Sequence, residues 1–358
     1  MKKRGTERIL VTGGAGFIGS HIAEFYAKKG KEVAVFDNLS RAEMLEKADK
    51  TREDISYNWN YLKRYKNIRL IKGDIRKRQE IENEAKNANL IVHAAGQVAV
   101  TSSIENPTTD FEVNAVGTFN VLEAARKSKG DPAVLYLSTN KVYGENVNKI
   151  PVSKKGKRYL FADKHFDRGI SEMYPIDLTG HTPYGCSKLT GDLYAQDYSK
   201  TYGLDTCVFR MSCIYGTRQF GNEDQGWVAH FIISTLQNRK LTIYGDGKQV
   251  RDVLFVSDLV TACDSFLNKR KEVLGEVFNI GGGPDNTLSL LELLNLLKKL
   301  TNKKSEISFQ DWRTGDQRVY ISDISKAKTK LGWQPSIDPL EGVQRFIAWH
   351  QDYKQRTS

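Results

Sequence analysis

Arg8-Ile9-Leu10-Val11-Thr12 runs without a break into Gly13-Gly14-Ala15-Gly16-Phe17-Ile18-Gly19. The first five residues form a short apolar run of strand character, and a helical pattern, Phe17–Lys29, follows at once. Gly14, Gly16 and Gly19 satisfy G-x-G-x-x-G, while Gly13, Gly16 and Gly19 satisfy the longer G-x-x-G-x-x-G spacing. Such glycines allow a tight turn and let backbone N–H groups reach a pyrophosphate at a helix N-terminus. A glycine motif alone is weak; the strand before it, the helix after it and an acid about 20 residues on give it weight. Asp37 is that acid, at the end of a second strand, Glu32–Phe36. Its carboxylate can accept both ribose hydroxyls and would repel a 2′-phosphate. Asn38-Leu39 follow without a basic residue, and Arg41 is the nearest one. The expected cofactor is NAD, with NADP disfavoured.

Working outward, strand-like runs recur at Ile68–Lys72, Leu90–Ala94, Val134–Ser138 and Thr206–Arg210, with helical patterns at Gln79–Lys86, Asp110–Ser128 and Pro183–Tyr202. This alternation predicts the α/β class: a Rossmann, doubly wound parallel sheet with a smaller C-terminal α/β substrate-binding lobe. The NAD-binding domain is placed at residues 1–205, rejoined by segments near 250–282, and the substrate lobe at 206–358, interleaved with it. In that lobe Leu241–Tyr244 and Glu276–Ile280 read as strands, Leu288–Leu300 and Leu340–Gln351 as helices. An insertion at Arg41–Lys66, carrying Tyr57, Trp59 and Tyr61, exceeds ordinary loop lengths and is expected to be helical. Phe17 and Ile18 belong to the loop–helix junction of the cofactor site. Asp74 and Ile75, just past the third strand, are placed over the adenine, with a simple strand-ending turn as the alternative. Ala94 and Ala95 allow close backbone approach to the cofactor, whereas His93 reads as a packed histidine.

Thr182-Pro183-Tyr184 looks like a capped helix start, with proline in the first turn. Tyr184 and Lys188 then share a helix face at i and i+4. A phenol of pKa about 10 is a poor base at neutral pH, but a nearby ammonium and the nicotinamide cation favour its ionised form. Tyr184 could take a substrate hydroxyl proton while hydride leaves the same carbon. The pair gains force from Thr139, just beyond the fifth strand in Ser138-Thr139-Asn140-Lys141-Val142-Tyr143-Gly144, where a hydroxyl points into the ligand crevice.

Along nearly its whole length the chain resembles the extended short-chain dehydrogenase/reductase family. The likeness rests on the glycine loop, Asn114-Ala115-Val116-Gly117-Thr118, Val142-Tyr143-Gly144, Pro183-Tyr184-Gly185-Cys186-Ser187-Lys188 and Arg251-Asp252-Val253. It implies a nucleotide-sugar substrate held by the C-terminal lobe over a Rossmann NAD site, with Thr139, Tyr184 and Lys188 as the catalytic triad. Family members that dehydrate sugars carry Asp-Glu after the triad hydroxyl; this chain has Asn140-Lys141. Neither replaces a carboxylate base, so dehydration is disfavoured, and decarboxylation with it. Several segments are also similar to the CDP-paratose (CDP-tyvelose) 2-epimerase subgroup: Ala95-Gly96-Gln97-Val98-Ala99, Ser138–Gly144, Arg218-Gln219-Phe220, Asp224-Gln225-Gly226-Trp227-Val228, Gly247–Val253 and Asp316-Gln317-Arg318-Val319. That likeness implies an isomerase that oxidises carbon 2 of a CDP-linked deoxyhexose and returns the hydride to the opposite face. A 4-epimerase or a reductase is the runner-up within the family; an NAD-binding sensor or scaffold without catalysis is the reading from another class.

Arg251 and Arg313 are the candidates for the diphosphate, since guanidinium forks match phosphate oxygens; a lone arginine is otherwise a surface ion-pair partner. Arg218 and Gln219 follow Tyr215-Gly216, where the family opens into the nucleotide pocket. Ser103, His181, Ser212, Thr139 and Asn140 complete the expected substrate contacts, with a capping or loop role as the alternative for His181. Asn114 is expected to support the cofactor side through a relay water, or simply to be a polar helix position. Trp227 could stack on the base, though a core position is preferred.

The 358 residues carry a formal net charge of +11, 39% hydrophobic and 27% charged residues. The lysine clusters are scattered and lack interleaved aromatics, which argues against a nucleic-acid partner and for attraction of a small anionic substrate. Cys186, Cys207, Cys213 and Cys263 have no paired or metal-ligand spacing, and no metal is expected. No stretch reads as a signal peptide or a membrane span, so the chain is expected to be cytoplasmic. The helices at Asp110–Ser128 and Pro183–Tyr202 resemble the family's dimer-forming pair, which implies a homodimer, with a tetramer as the alternative.

Overall fold

The structure, a computed structural model, describes residues 7–40 and 52–357. Its contacts divide the chain into two units. The first comprises Met1–Thr139, Pro183–Arg210 and Val260–Phe278; the second comprises Asn140–Thr182, Met211–Leu259 and Asn279–Ser358. The division departs from an unbroken first domain ending at 205, because residues 140–182 group with the C-terminal segments. The chain therefore changes unit five times, three of them at or near the carboxyl ends of strands.

In the first unit β1 (Arg8–Thr12), α1 (Phe17–Lys28), β2 (Glu32–Asp37), α2 (Arg52–Leu62), β3 (Ile68–Lys72), α3 (Arg78–Ala85) and β4 (Leu90–His93) alternate. Short helices α4 (Val100–Glu105) and α5 (Pro107–Phe111) lead into a π-helical turn at Glu112–Val116, α6 (Gly117–Arg126) and β5 (Ala133–Thr139). A seven-stranded sheet forms in the order β12-β8-β5-β4-β1-β2-β3, where β8 is Thr206–Met211 and β12 is Glu276–Ile280. β1 runs parallel to both β2 and β4, β2 to β3, and β4 to β5. This is the doubly wound order, with its switch point beside β1. Every residue of β4 and β5 is buried, as expected of strands covered by helices on both faces. Leu10, Ile91, Val121, Val134, Tyr136 and Val208 belong to the core that results.

The helix expected over Asp110–Ser128 is instead α5, the π turn and α6. Of the Arg41–Lys66 insertion, 41–51 lie outside the described residues; Arg52–Leu62 is helical, and the Tyr61 and Tyr65 hydroxyls both donate to Glu24 on α1.

The second unit is built around β11 (Val250–Phe255), which carries the Arg251-Asp252-Val253 motif. β11 pairs antiparallel with β13 (Thr287–Ser289) and parallel with β15 (Val319–Tyr320) and β9 (Cys213–Tyr215). A hairpin of β6 (Val152–Lys155) and β7 (Arg158–Phe161) and a parallel pair of β10 (Leu241–Tyr244) and β14 (Ile307–Gln310) complete its strands. The leucine-rich helix begins at Leu290, two residues later than the periodicity predicts, because Ser289 caps it in a capping box with Glu292 and Leu288 stays in β13. Among the described residues no helix is long and apolar enough to cross a membrane.

Candidate active site

The glycine loop has the geometry a dinucleotide requires. Gly13 has φ +67°, and a Cβ there would come within 2.5 Å of the Ala95 backbone nitrogen. Gly16 is the N-cap of α1 and brings no capping side chain, so the first-turn N–H groups keep no side-chain acceptor. That open, positively polarised helix end suits a pyrophosphate. Phe17 and Ile18 form its first turn, and Gly19 packs its backbone against Gly13. Asp37 closes β2, and its two carboxylate oxygens accept the Ala15 N–H at 2.9 Å and the Leu39 N–H at 2.8 Å.

Asn38 donates to Asp74 at 3.2 Å, tying the residue after β2 to the loop after β3. Burial would raise the Asp74 carboxyl, but hydrogen bonds from Arg76 and Asn38 hold it down at about 2. Ile75 is buried in the sheet's core cluster. Ala94 and Ala95 follow β4 beside Gly13. His93 is a packed histidine: its ring nitrogens bond the Thr12 and Thr118 hydroxyls at 2.7 and 3.0 Å, and burial pushes its pKa down to about 3.

The three catalytic candidates come together in the first unit. Thr139 ends β5, while Tyr184 and Lys188 lie one turn apart on α7 (Thr182–Tyr202); all three are buried. Burial pushes the Tyr184 phenol up to about 12; a hydrogen bond from Thr139 opposes this and the Asp110 charge adds to it. Burial likewise pulls the Lys188 amine down to about 7, against the charges of Asp192 and Asp110. The Lys188 ammonium donates to the Leu137 carbonyl at 2.7 Å and lies 4.3 Å from the centre of the Tyr136 ring. In the chain alone, then, the phenol is raised where the sequence reading expected a neighbouring ammonium to lower it.

Two expected ligand contacts have other duties. Ser103 is fully buried; its hydroxyl donates to the Val100 carbonyl at 2.7 Å and accepts the Tyr184 N–H at 3.1 Å. It fixes the start of the catalytic helix, and no surface remains for a sugar. Asn114 sits in the π turn, 1% exposed, accepting the Gln97 N–H and donating to Gln97, Asp110 and Ser187. It locks the loop after β4 from within. The network exposes two residues the sequence reading missed, Asp110 and Asp192. Asp110 hydrogen-bonds Ser187 at 2.5 Å, and Asp192 takes the Ser138 hydroxyl and the Arg210 guanidinium. The available signals were spacings of four residues, Asp110 to Asn114 and Lys188 to Asp192.

In the second unit Arg251 is nearly buried on β11, bonded to the Val250 carbonyl and to Asp316 at 2.5 Å. Asn140 is buried, with its amide 3.5 Å from Gln317. His181 packs beside Gly144, and the Ser212 hydroxyl bonds Asp252. Arg218, at φ +61°, and Gln219 are both buried in the turn after β9. Arg313 lies over the Tyr244 ring at 3.8 Å and pairs with Glu223 and Asp224, the ion-pair arrangement that was the alternative to phosphate binding. Trp227 opens helix α8 (Trp227–Leu236), half-buried, its indole N–H 3.4 Å from the Cys213 sulfur. Among the described residues no group of His, Cys, Asp and Glu is placed to hold a metal.

Comparison with known proteins agrees with this geometry. The chain is 39% identical over 349 residues to the CDP-paratose 2-epimerase of Salmonella typhi, covering 96% of this chain and 98% of that one. It is 30% identical to the UDP-glucuronate 4-epimerase of Thermodesulfobacterium geofontis, covering 96% of each. Among solved structures, the UDP-glucose 4-epimerase of Thermotoga maritima with UDP-glucose superposes with a TM-score of 0.80 at 30% identity, covering 97% of this chain and 99% of that one. The UDP-glucuronic acid 4-epimerase of Bacillus cereus, in complex with UDP-glucuronic acid and NAD, gives 0.80 at 26% identity with the same coverage. Residues 9–281 match the NAD dependent epimerase/dehydratase family, and the chain belongs to it.

Proposed function

We propose that this enzyme inverts carbon 2 of a CDP-linked deoxyhexose. The observation that carries an epimerase over a dehydratase is the buried group Thr139, Tyr184 and Lys188 followed directly by Asn140-Lys141, where an eliminating enzyme needs two carboxyl groups. Carbon 2 and the cytidine diphosphate rest on the likeness to the Salmonella typhi protein. Inversion at carbon 4 is the second reading, supported by the 4-epimerase relatives.

Bound NAD supplies a hydride acceptor that returns what it takes. Tyr184, as phenolate, takes the proton of the carbon 2 hydroxyl while hydride leaves that carbon, and Thr139 holds the oxygen. The 2-keto sugar turns over, hydride comes back to its other face, and Tyr184 returns the proton. Lys188 orients the ribose and stabilises the phenolate once the cofactor is in place. Arg251 takes the diphosphate. The enzyme acts in the cytoplasm as a homodimer, consistent with exposed apolar side chains on α5, α6 and α7 and with no disulfide among the described cysteines.

The test incubates purified protein with CDP-, UDP- and dTDP-sugars in deuterated water. Carbon 2 inversion of the CDP-sugar without deuterium entering is expected. Stoichiometric consumption of added NADH with no inversion would replace the proposal with a reductase. The Tyr184→Phe variant should keep NAD and lose about 10²–10⁴-fold in kcat.

A further inference from the structure

Lys141 lies two residues past Thr139, where an eliminating enzyme would carry an acid. Its ammonium donates to the Gly315 carbonyl at 3.0 Å. Arg251, Asp316 and Cys213 supply the fields around it, all within the second unit. Asp316 is the carboxylate of this cluster, and one of its oxygens already accepts from the Arg251 guanidinium at 2.5 Å and the Gln317 N–H at 2.9 Å. Cys213 adds no charge, since burial pushes its thiol pKa up. Asp252 follows Arg251 on β11, and successive side chains of a strand point to opposite faces. Its carboxylate is held by the Ser212 hydroxyl and the Gly283 N–H. Two cationic side chains, one buried and one part-buried, therefore lie in the field of one part-buried carboxylate. Burial lowers the Lys141 amine and the Arg251 charge lowers it further, with Asp316 opposing. An anion placed against both cations relieves that cost.

We propose that Lys141 and Arg251 form a joint seat for the phosphate next to the sugar, which makes Lys141 a substrate-binding residue. The inference rests on the nucleotide-sugar reading above. Chain geometry selects the phosphate: two residues reach at most about 7 Å between Cα atoms, so Lys141 is anchored close to Thr139, which holds the reacting sugar hydroxyl. The phosphate nearest the sugar is the one within reach, and a lysine serves it as a compact point charge beside the arginine fork.

The test titrates CDP, UDP and cytidine into the NAD-loaded wild type, Lys141→Gln and Lys141→Met, with KM and kcat measured for the sugar substrate. Both variants should bind CDP and UDP about 10- to 100-fold more weakly, raise KM more than they lower kcat, and leave cytidine and NAD binding unchanged. Gln retains an N–H donor for the Gly315 carbonyl but no charge. If Lys141→Gln binds CDP like the wild type while Lys141→Met does not, Lys141 is a structural tie and the proposal is overturned. Equal CDP affinity in all three proteins with a raised KM only for the sugar substrate moves the contact to the sugar and overturns the phosphate seat. A wild type that binds neither CDP nor UDP overturns the nucleotide-sugar reading first.

Discussion

Desolvation acts on three side chains around β4 and α7 in the same sense, favouring the neutral form of His93, Lys188 and Tyr184. For Tyr184 and Lys188 that is a poised state, because the phenolate becomes accessible only with positive charge nearby, and bound NAD brings it. For His93 it has a consequence for stability. The folded pKa is about 3 against an ordinary 6.5, so between these values the unfolded chain binds a proton that the folded chain does not. Stability is full above pH 6.5 and falls as pH drops toward 3. His93→Asn, which keeps hydrogen-bonding atoms near Thr12 and Thr118, should flatten this slope. Thermal melts at pH 7 and pH 4 check it: the variant should lose fewer degrees than the wild type between the two, and an equal loss would refute the assignment.

At the scale of elements, the β1 loop is rigid because backbone meets backbone. A side chain at Gly13 must adopt φ +67° and enter the space of the Ala95 nitrogen at 2.5 Å. The left-handed conformation alone costs about 1–2 kcal/mol, and neither backbone can yield without moving the helix end. Gly13→Ala should weaken NAD binding by about 5- to 30-fold, because the loss of one to two kcal/mol falls on the bound loop geometry; titration of the apo protein with NAD reads it. This loop was legible from sequence because each glycine has a local reason. So were β1 and β3, whose apolar runs end at turn residues. β11 was not, since Arg251 and Asp252 interrupt its pattern although all six of its residues are buried. The π turn was hidden too: a single wider turn leaves the helical periodicity of 110–128 nearly intact. Ser103 shows the same limit at the site itself. Its chemistry was visible, but its partner, the Tyr184 N–H, lies 81 residues away.

For the whole molecule, the surface of the first unit carries the remaining argument. Phe111, Val116 and Phe119 from α5, the π turn and α6, and Leu193 and Tyr194 from α7, are all more than a third exposed. Phe119 and Tyr194 meet edge to face at 5.9 Å, which joins the two helices into one apolar surface. Contiguous apolar surface of this kind marks an association site, and two antiparallel copies of such a helix pair bury it by symmetry. Each buried phenylalanine contributes about 1.5–3 kcal/mol, so a lysine at its centre removes that term twice per dimer and adds two like charges across the axis. Phe119→Lys should therefore shift the protein from dimer to monomer in sedimentation velocity at micromolar concentration. Because Asn114 and Asp110 lie on the same helical segment as that surface and hold Ser187 on the catalytic helix, the monomer should also lose activity, while Lys354→Glu, exposed near the end of the last helix, Pro339–Thr357, should change neither. A Phe119→Lys protein that stays dimeric would place the subunit contact elsewhere, and a monomeric wild type would refute the dimer.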